Sequence, residues 1–371
     1  MAVPLLPPRR LILHVGTHKT GTKALQVYLA VNRVLLAQAG VHYPLAGRHL
    51  LPVAGLQTPG HHQIAFDFAS EGGSASFADV VNEIRLVQAA TVVLSSEEFL
   101  PLAYTPGALE TIVATGRELG YEPLAVIVLR AQPDYLESMY SELAKESLVP
   151  SIEDLIEQAA RDGKFVPLNY TRAFELTYSA PIGRLEAIFG VGNVIARAYR
   201  PDRGLDFGYS DFLGVVSYVR GGLQLQNPGN PLPSANERVT LLQLLANIVR
   251  SRDATFALET FIREHFPHFD EADFARPFSL ITRLDRLRLL SRFAADNAAI
   301  NARFGIDIPF VLEGDAAMSD AAETRAQQHR ALLAAVLQAT ENIPGRQQRV
   351  GTMRDDVLER KADLAKSRAR S

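Results

Sequence analysis

The chain has 371 residues, of which 47% are hydrophobic and 21% charged, and its formal net charge is −3. That length buries a substantial core in one large domain or two smaller ones, and the near-neutral charge argues against a nucleic-acid or membrane binder working through a global basic face. The absence of cysteine excludes disulfides, thiolate metal sites and cysteine nucleophiles at once, and it fits a reducing compartment.

The opening MAVPLLPPRRLILHV is not patterned as a signal peptide, because its basic pair follows the short apolar stretch and prolines interrupt it. No segment approaches the roughly 20 apolar residues of a membrane span, so the expectation is a soluble, cytoplasmic protein. Leu11–Val15, stopping at Gly16, predicts a buried parallel strand. From Thr22 to Gln38 the residues Leu25, Tyr28, Leu29, Val31, Leu35 and Leu36 recur at helical spacing. Residues 44–60, rich in Pro, Gly and His, form a long loop of the kind that tends to carry function. Thr91–Leu94, Leu124–Leu129 and Asn193–Ala198 read as further strands, separated by helical patterns at 106–119, 132–148 and 169–189.

Such alternation predicts an α/β fold in which helices cover both faces of a parallel sheet. Ligands then bind beyond the carboxyl ends of the strands, which selects the Gly16 turn, Ser95–Glu98, and Arg130 with the helix after it. Gly221–Pro233 reads as a boundary or ordered loop. Beyond it, 236–251, 254–265, 280–303 and 320–339 are helical with no strand between them. The expected organisation is an α/β core over 1–215, a helical C-terminal region over 216–345, and a polar, flexible tail over 346–371.

The turn Gly16-Thr17-His18-Lys19-Thr20-Gly21-Thr22-Lys23 lies between a strand and a helix, where a phosphate-binding loop belongs. Gly16 and Gly21 permit backbone geometry that turns consecutive N–H groups onto one anion, and the helix opening near Thr22 adds its free N–H groups and dipole. Lys19 supplies a point charge, and Thr20 and Thr22 supply hydroxyls. A Walker A loop requires Lys then Ser or Thr after its second glycine; here the order is Thr22 then Lys23, so a magnesium-binding hydroxyl would be misplaced. No Walker B aspartate ends a strand either.

His14 to Gln26, HVGTHKTGTKALQ, resembles the 5′-phosphosulfate loop of sulfotransferases that use 3′-phosphoadenosine 5′-phosphosulfate (PAPS). It is closest to the bacterial branch, where the loop reads roughly H-x-G-x-x-K-T-G-T-T-x-L-Q. A second resemblance is VLRAQPDYLESMY, Val128 to Tyr140, in which Arg130 ends a strand and Ser138 follows on the next helix. In the family this pair holds the 3′-phosphate, and a guanidinium with a hydroxyl one or two turns onward suits that group. The likeness spans about residues 10–215, with weaker echoes at 61–65 and 95–99. Lys23 departs from it, replacing the usual threonine; it either reaches the anion or points outward. The resemblance implies a three-layer α/β sheet of P-loop nucleotide-binding type, PAPS as co-substrate, no metal, and a glycan or glycolipid hydroxyl as acceptor.

Sulfuryl transfer needs positioning and charge stabilisation around a loose transition state. Lys19 holds the family position that stabilises the leaving phosphate oxygen. Glu97 is the chosen base for the acceptor hydroxyl, and Glu98 its immediate rival. His61 and His62, opening a helix after the long loop, could each serve as base or hold the acceptor; lying about 100° apart on a helix, at most one enters the site. Phe66, Phe68, Tyr135 and Tyr140 suit core packing, and Arg197 and Arg200 suit surface ion pairs. Two rival functions remain: a nucleotide-dependent kinase, and a non-catalytic PAPS- or nucleotide-binding scaffold.

Overall fold

The computed structural model describes residues 8–48, 58–70, 74–146, 150–167, 173–200, 212, 214, 239–252, 255–275, 277–308 and 319–340. The elements begin with β1 (Arg10–His14), α1 (Thr22–Val31), α2 (Arg33–Gln38), β2 (Val41–His42), α3 (His62–Ala69), α4 (Ala75–Val87) and β3 (Thr91–Ser95). Next come α5 (Phe99–Leu102), α6 (Ala108–Glu118), β4 (Glu122–Leu129), α7 (Gln132–Glu146), α8 (Ile152–Asp162), β5 (Lys164–Phe165), β6 (Phe174–Glu175), α9 (Ser179–Phe189) and β7 (Val194–Ala198). The C-terminal helices are α10 (Leu241–Arg252), α11 (Leu258–His265), α12 (Glu271–Ala275), α13 (Arg283–Phe304) and α14 (Asp320–Ala339).

Five strands pair in parallel in the order β2-β3-β1-β4-β7, while β5 and β6 form a separate antiparallel pair. Side chains alternate across a strand, so successive residues feed opposite layers. Leu11, Leu13, Val92, Leu94 and Ile127 face the layer of α3, α4, α5, α6 and α9. Ile12, Val93, Leu124 and Val126 instead pack with Leu25, Tyr28 and Leu29 of α1 and Leu36 of α2. Burying each such side chain favours folding by about 1.5–3 kcal/mol, which explains why the strands read as nearly unbroken apolar runs. The result is the expected three-layer α/β sheet with a helical C-terminal region. Among the described residues no helix is long and apolar enough to cross a membrane.

A separate core joins α7 and α8 to the C-terminal helices through Tyr140, Leu155, Leu244, Phe293 and Leu332. Helix α13 touches both cores, since its Ile300 joins the cluster under the sheet. Its start is fixed by a capping box in which Thr282 and Asp285 satisfy each other's backbone N–H groups.

Several boundaries differ from the sequence expectation. The helix expected over Thr22–Gln38 breaks at Asn32, whose Nδ2 donates to the Tyr28 carbonyl at 2.8 Å and competes for the helical acceptor. The pattern at 169–189 forms a helix only from Ser179, and Phe174–Glu175 pairs as a strand with Lys164–Phe165. Helix α8 was not anticipated, although Ser151 caps it by accepting from Asp154 N and Gly163 ends it in the left-handed region. β2, two residues long, is too short to leave a periodic signal. Thr240 and Pro277 form an isolated antiparallel bridge within the helical region. Phe66 is 44% exposed, whereas Tyr135 and Tyr140 are buried as expected. Arg200 does pair with Asp307, and Arg197 Nη1 donates to its neighbour's carbonyl, Ala196 O. The expected boundary at Gly221–Pro233 and the tail 346–371 lie outside the described residues.

Gln132 on α7 and Asn297 on α13 are both fully buried and exchange two amide hydrogen bonds, of 2.8 and 2.9 Å. Gln132 Nε2 also donates to Leu176 O at 3.2 Å. Asn297→Ala leaves a buried amide unsatisfied and is expected to destabilise the protein by about 2–3 kcal/mol in urea denaturation. Replacing both residues by leucine is expected to cost less than that single change, because no orphaned amide remains.

Candidate functional site

The site gathers where β1, β3 and β4 end side by side. Val15 N continues the ladder onto Val126 O at 3.0 Å, and the chain then turns at Gly16 with φ +40°. A Cβ at Gly16 would lie 3.0 Å from Thr22 Oγ1, so the loop closes on itself at that point. Lys19 also has a positive φ, of 63°, in a region that costs a residue with a side chain roughly 1–2 kcal/mol. Three bonds hold the backbone there. Thr17 Oγ1 donates to Val128 O at 2.8 Å, Thr20 Oγ1 to Thr17 O at 2.6 Å, and Arg130 Nη1 to Lys19 O at 2.9 Å.

Helix α1 opens from Gly21 with no side-chain cap and no acidic residue in its first turn, so its N–H groups and positive dipole end face the loop uncompensated. Thr22 is buried, and its Oγ1 has no hydrogen-bond partner among the described residues. Lys23, by contrast, is exposed. Of the two lysines in the turn, Lys19 has an ion-pair contact among the described residues: its ammonium lies 3.1 Å from Glu142 Oε2 on α7. His18 lies 3.8 Å from Glu98 and edge-on to Phe174.

Arg130 ends β4 beneath the ring of Tyr199, 5.1 Å from its centroid, and its Nε is buried without a partner among the described residues. Tyr178 fixes the next link by donating its hydroxyl to Arg130 O. Ser138 sits about two turns into α7, partly buried. Glu142 follows it by one helical turn, on the same face. No role for Glu142 was foreseen; the i, i+4 spacing from Ser138 was the available signal.

The end of β3 carries two carboxylate–imidazole pairs. Glu97 Oε2 accepts from Gln26 Nε2 at 3.1 Å and lies 3.8 Å from His62 Nδ1, which is itself 2.8 Å from Ser96 Oγ. Glu98 is turned toward His18, and its N–H donates to Ser96 Oγ at 3.1 Å. Both carboxylates are partly buried. Gln26, a motif residue to which the sequence assigned no role, is wedged in place: a Cβ on Gly60 would come within 2.6 Å of its amide.

His61 is fully buried, with both ring nitrogens committed. Nδ1 accepts from Ser95 N–H at 3.1 Å, which leaves Nε2 as the donor to Pro44 O at 3.1 Å. Burial, reinforced by the Arg48 charge, pushes its pKa down to about 3, so the ring stays neutral. His14 is buried against Ser95 Oγ at 2.8 Å, and burial likewise lowers its pKa to about 4. The structure therefore brings together the loop, Arg130, Glu97, Glu98 and His62, and sets His61 beneath them as a strut. Among the described residues no group of three or more His, Asp or Glu is arranged to hold a metal ion.

No protein-family model matches the chain, and no curated protein matches it. Among solved structures, a sulfotransferase from Alicyclobacillus acidocaldarius aligns with 72% of this chain and 99% of its own at 18% identity, with a TM-score of 0.37. Agreement at that level carries no functional information.

The buried histidines make stability depend on pH. Unfolded, both titrate near 6.5; folded, they resist protonation down to about 4 for His14 and about 3 for His61. The unfolded state therefore binds more protons in that window. Their stabilisation is complete above roughly 6.5 and is lost as pH falls toward the folded values. His61→Gln is expected to make the slope of unfolding free energy against pH shallower between 6 and 4, by up to about 1.4 kcal/mol per pH unit. Urea titrations across that range read the slope directly; an unchanged slope would mean that His61 is not held neutral.

Proposed function

We propose that the chain is a sulfotransferase that moves a sulfuryl group from PAPS to an acceptor hydroxyl. The observation that carries this reading is a pair of buried polar atoms with no hydrogen-bond partner among the described residues, Thr22 Oγ1 in the loop and Arg130 Nε at the end of β4. Orphaned buried donors are costly, and of these two residues Thr22 follows Lys19 by three positions while Arg130 bonds its carbonyl. A ligand with two separate phosphate groups satisfies both: a 5′-phosphosulfate over the loop and helix N-terminus, and a 3′-phosphate against Arg130 and Ser138. The residues present suit such a donor.

In this mechanism the acceptor oxygen attacks sulfur in line with the leaving phosphate oxygen. The new O–S bond forms as the old one breaks, and the electron pair stays on the phosphate. Lys19 and the α1 N-terminus stabilise that developing charge. Glu97 takes the acceptor proton; the Gln26 amide fixes its carboxylate, and His62 lies beside it. With both nitrogens of His61 committed, its role here is to orient Ser95 and the end of β3. A glycan or glycolipid hydroxyl is the acceptor class that the sequence resemblance suggests.

Calorimetry without magnesium tests the donor assignment. The product 3′-phosphoadenosine 5′-phosphate is expected to bind at least about tenfold more tightly than AMP, and Arg130→Ala to erase most of that preference. Equal affinities would overturn the reading, and a requirement for magnesium would point to a kinase. Glu97→Gln is expected to lower turnover at least about a hundredfold with donor affinity nearly unchanged, and Glu98→Gln to do much less. The reverse ranking would move the base to Glu98.

Because Lys23 is exposed, Lys23→Thr is expected to change donor affinity less than about threefold, and to leave the stability of the free protein the same or slightly higher by removing a cation from a helix N-terminus. The size of the ligand-induced thermal shift checks this. A marked loss would show that the side chain turns onto the donor.

A further inference from the structure

We propose that Glu142 is a positioning residue for Lys19: its carboxylate holds the ammonium while the loop is empty, and an incoming anion takes its place. The inference rests on the loop binding an anion, as proposed above. Lys19 is gripped at both ends by the β4–α7 unit, with Arg130 Nη1 on its carbonyl and Glu142 on its ammonium. Its backbone is already set in the left-handed region, so the side chain departs from a fixed origin. The carboxylate thus selects which way the long lysine stem runs.

Charge makes this a competition. A carboxylate and a phosphate are rival partners for one ammonium, and a retained carboxylate also repels the entering anion. The pair is exchangeable because water reaches it: the two side chains are 27% and 37% exposed, and pairs so accessible contribute little net stability. A pair sealed in the core would lock the lysine instead. Ser138 and Glu142 share one face of α7, so the face proposed to meet the 3′-phosphate also holds the partner of the loop lysine.

The test is a double-mutant cycle on the full chain. Glu142→Gln keeps the shape and removes the charge. It is expected to tighten 3′-phosphoadenosine 5′-phosphate by about three- to tenfold, with a smaller gain at high salt. In a Lys19→Gln background the same change relieves only the direct repulsion and is expected to give a clearly smaller gain, whereas a merely structural role for Glu142 would give equal effects in both. Weaker or unchanged binding in Glu142→Gln, or an equal gain in the Lys19→Gln background, overturns the proposal. If no variant binds the bisphosphate, the donor assignment fails, and the cycle is read by the thermal shift with inorganic pyrophosphate. A shift larger in Glu142→Gln than in wild type, with a clearly smaller gain once Lys19 is replaced, supports the role; no such difference overturns it.

Discussion

The constraint on which the site depends is the backbone path from β1 to α1. Within a few residues the chain must leave a largely buried strand, reverse over the sheet edge and enter a helix with no side-chain cap among the described residues. Gly16 and Gly21 meet that demand without strain, but Lys19 meets it only by adopting a positive φ. The cost is offset by bonds from Thr17 to Val128 O, from Thr20 to Thr17 O and from Arg130 to Lys19 O. Two of the three reach from or to β4 and its end. Register between β1 and β4, set by Leu13 opposite Ala125 and His14 opposite Val126, therefore shapes the loop as much as the loop's own residues do.

The same edge shows how similar side chains acquire different duties. His61 and His62 are neighbours in sequence. His61 is sealed beneath the sheet edge between Ser95 N–H and Pro44 O, and is neutral because burial disfavours its charged form. His62 lies at the start of α3 beside Ser96 and Glu97, partly open to water. Glu97 and Glu98 divide in the same way. One is held by Gln26 from α1, and the other faces His18 in the loop. The choice of Glu97 over Glu98 as the proposed base accords with those two directions.

The C-terminal helices are tied to this arrangement through α7. That helix carries Glu142, which pairs with Lys19, while Gln132 bonds Asn297 of α13 and the partly buried Glu137 carboxylate accepts from Leu280 and Ile281 N–H. Burial raises the Glu137 pKa, and the backbone donors oppose that rise. A helix held to the C-terminal region by these bonds presents Glu142 to the loop from a fixed support. Stability of the helical region and geometry of the loop are accordingly linked properties.

From sequence alone the sheet strands, the glycine turn, Lys19, Arg130 and the carboxylates after β3 could be found. Each is a local signal: an apolar run, a glycine spacing, or a charged residue at a strand end. Short or irregular elements escaped, because β2 has too few residues for a period and Asn32 breaks a helix through a single side-chain bond. The tertiary structure alone decided which of two adjacent histidines is buried, that Gln26 reaches Glu97, and that Lys23 is exposed while Lys19 meets Glu142. Those outcomes depend on residues 71 and 123 positions apart being brought together by strand order and helix packing. Local propensity reports what a segment can form; which side chains meet across the sheet edge is set by the pairing of segments distant in sequence.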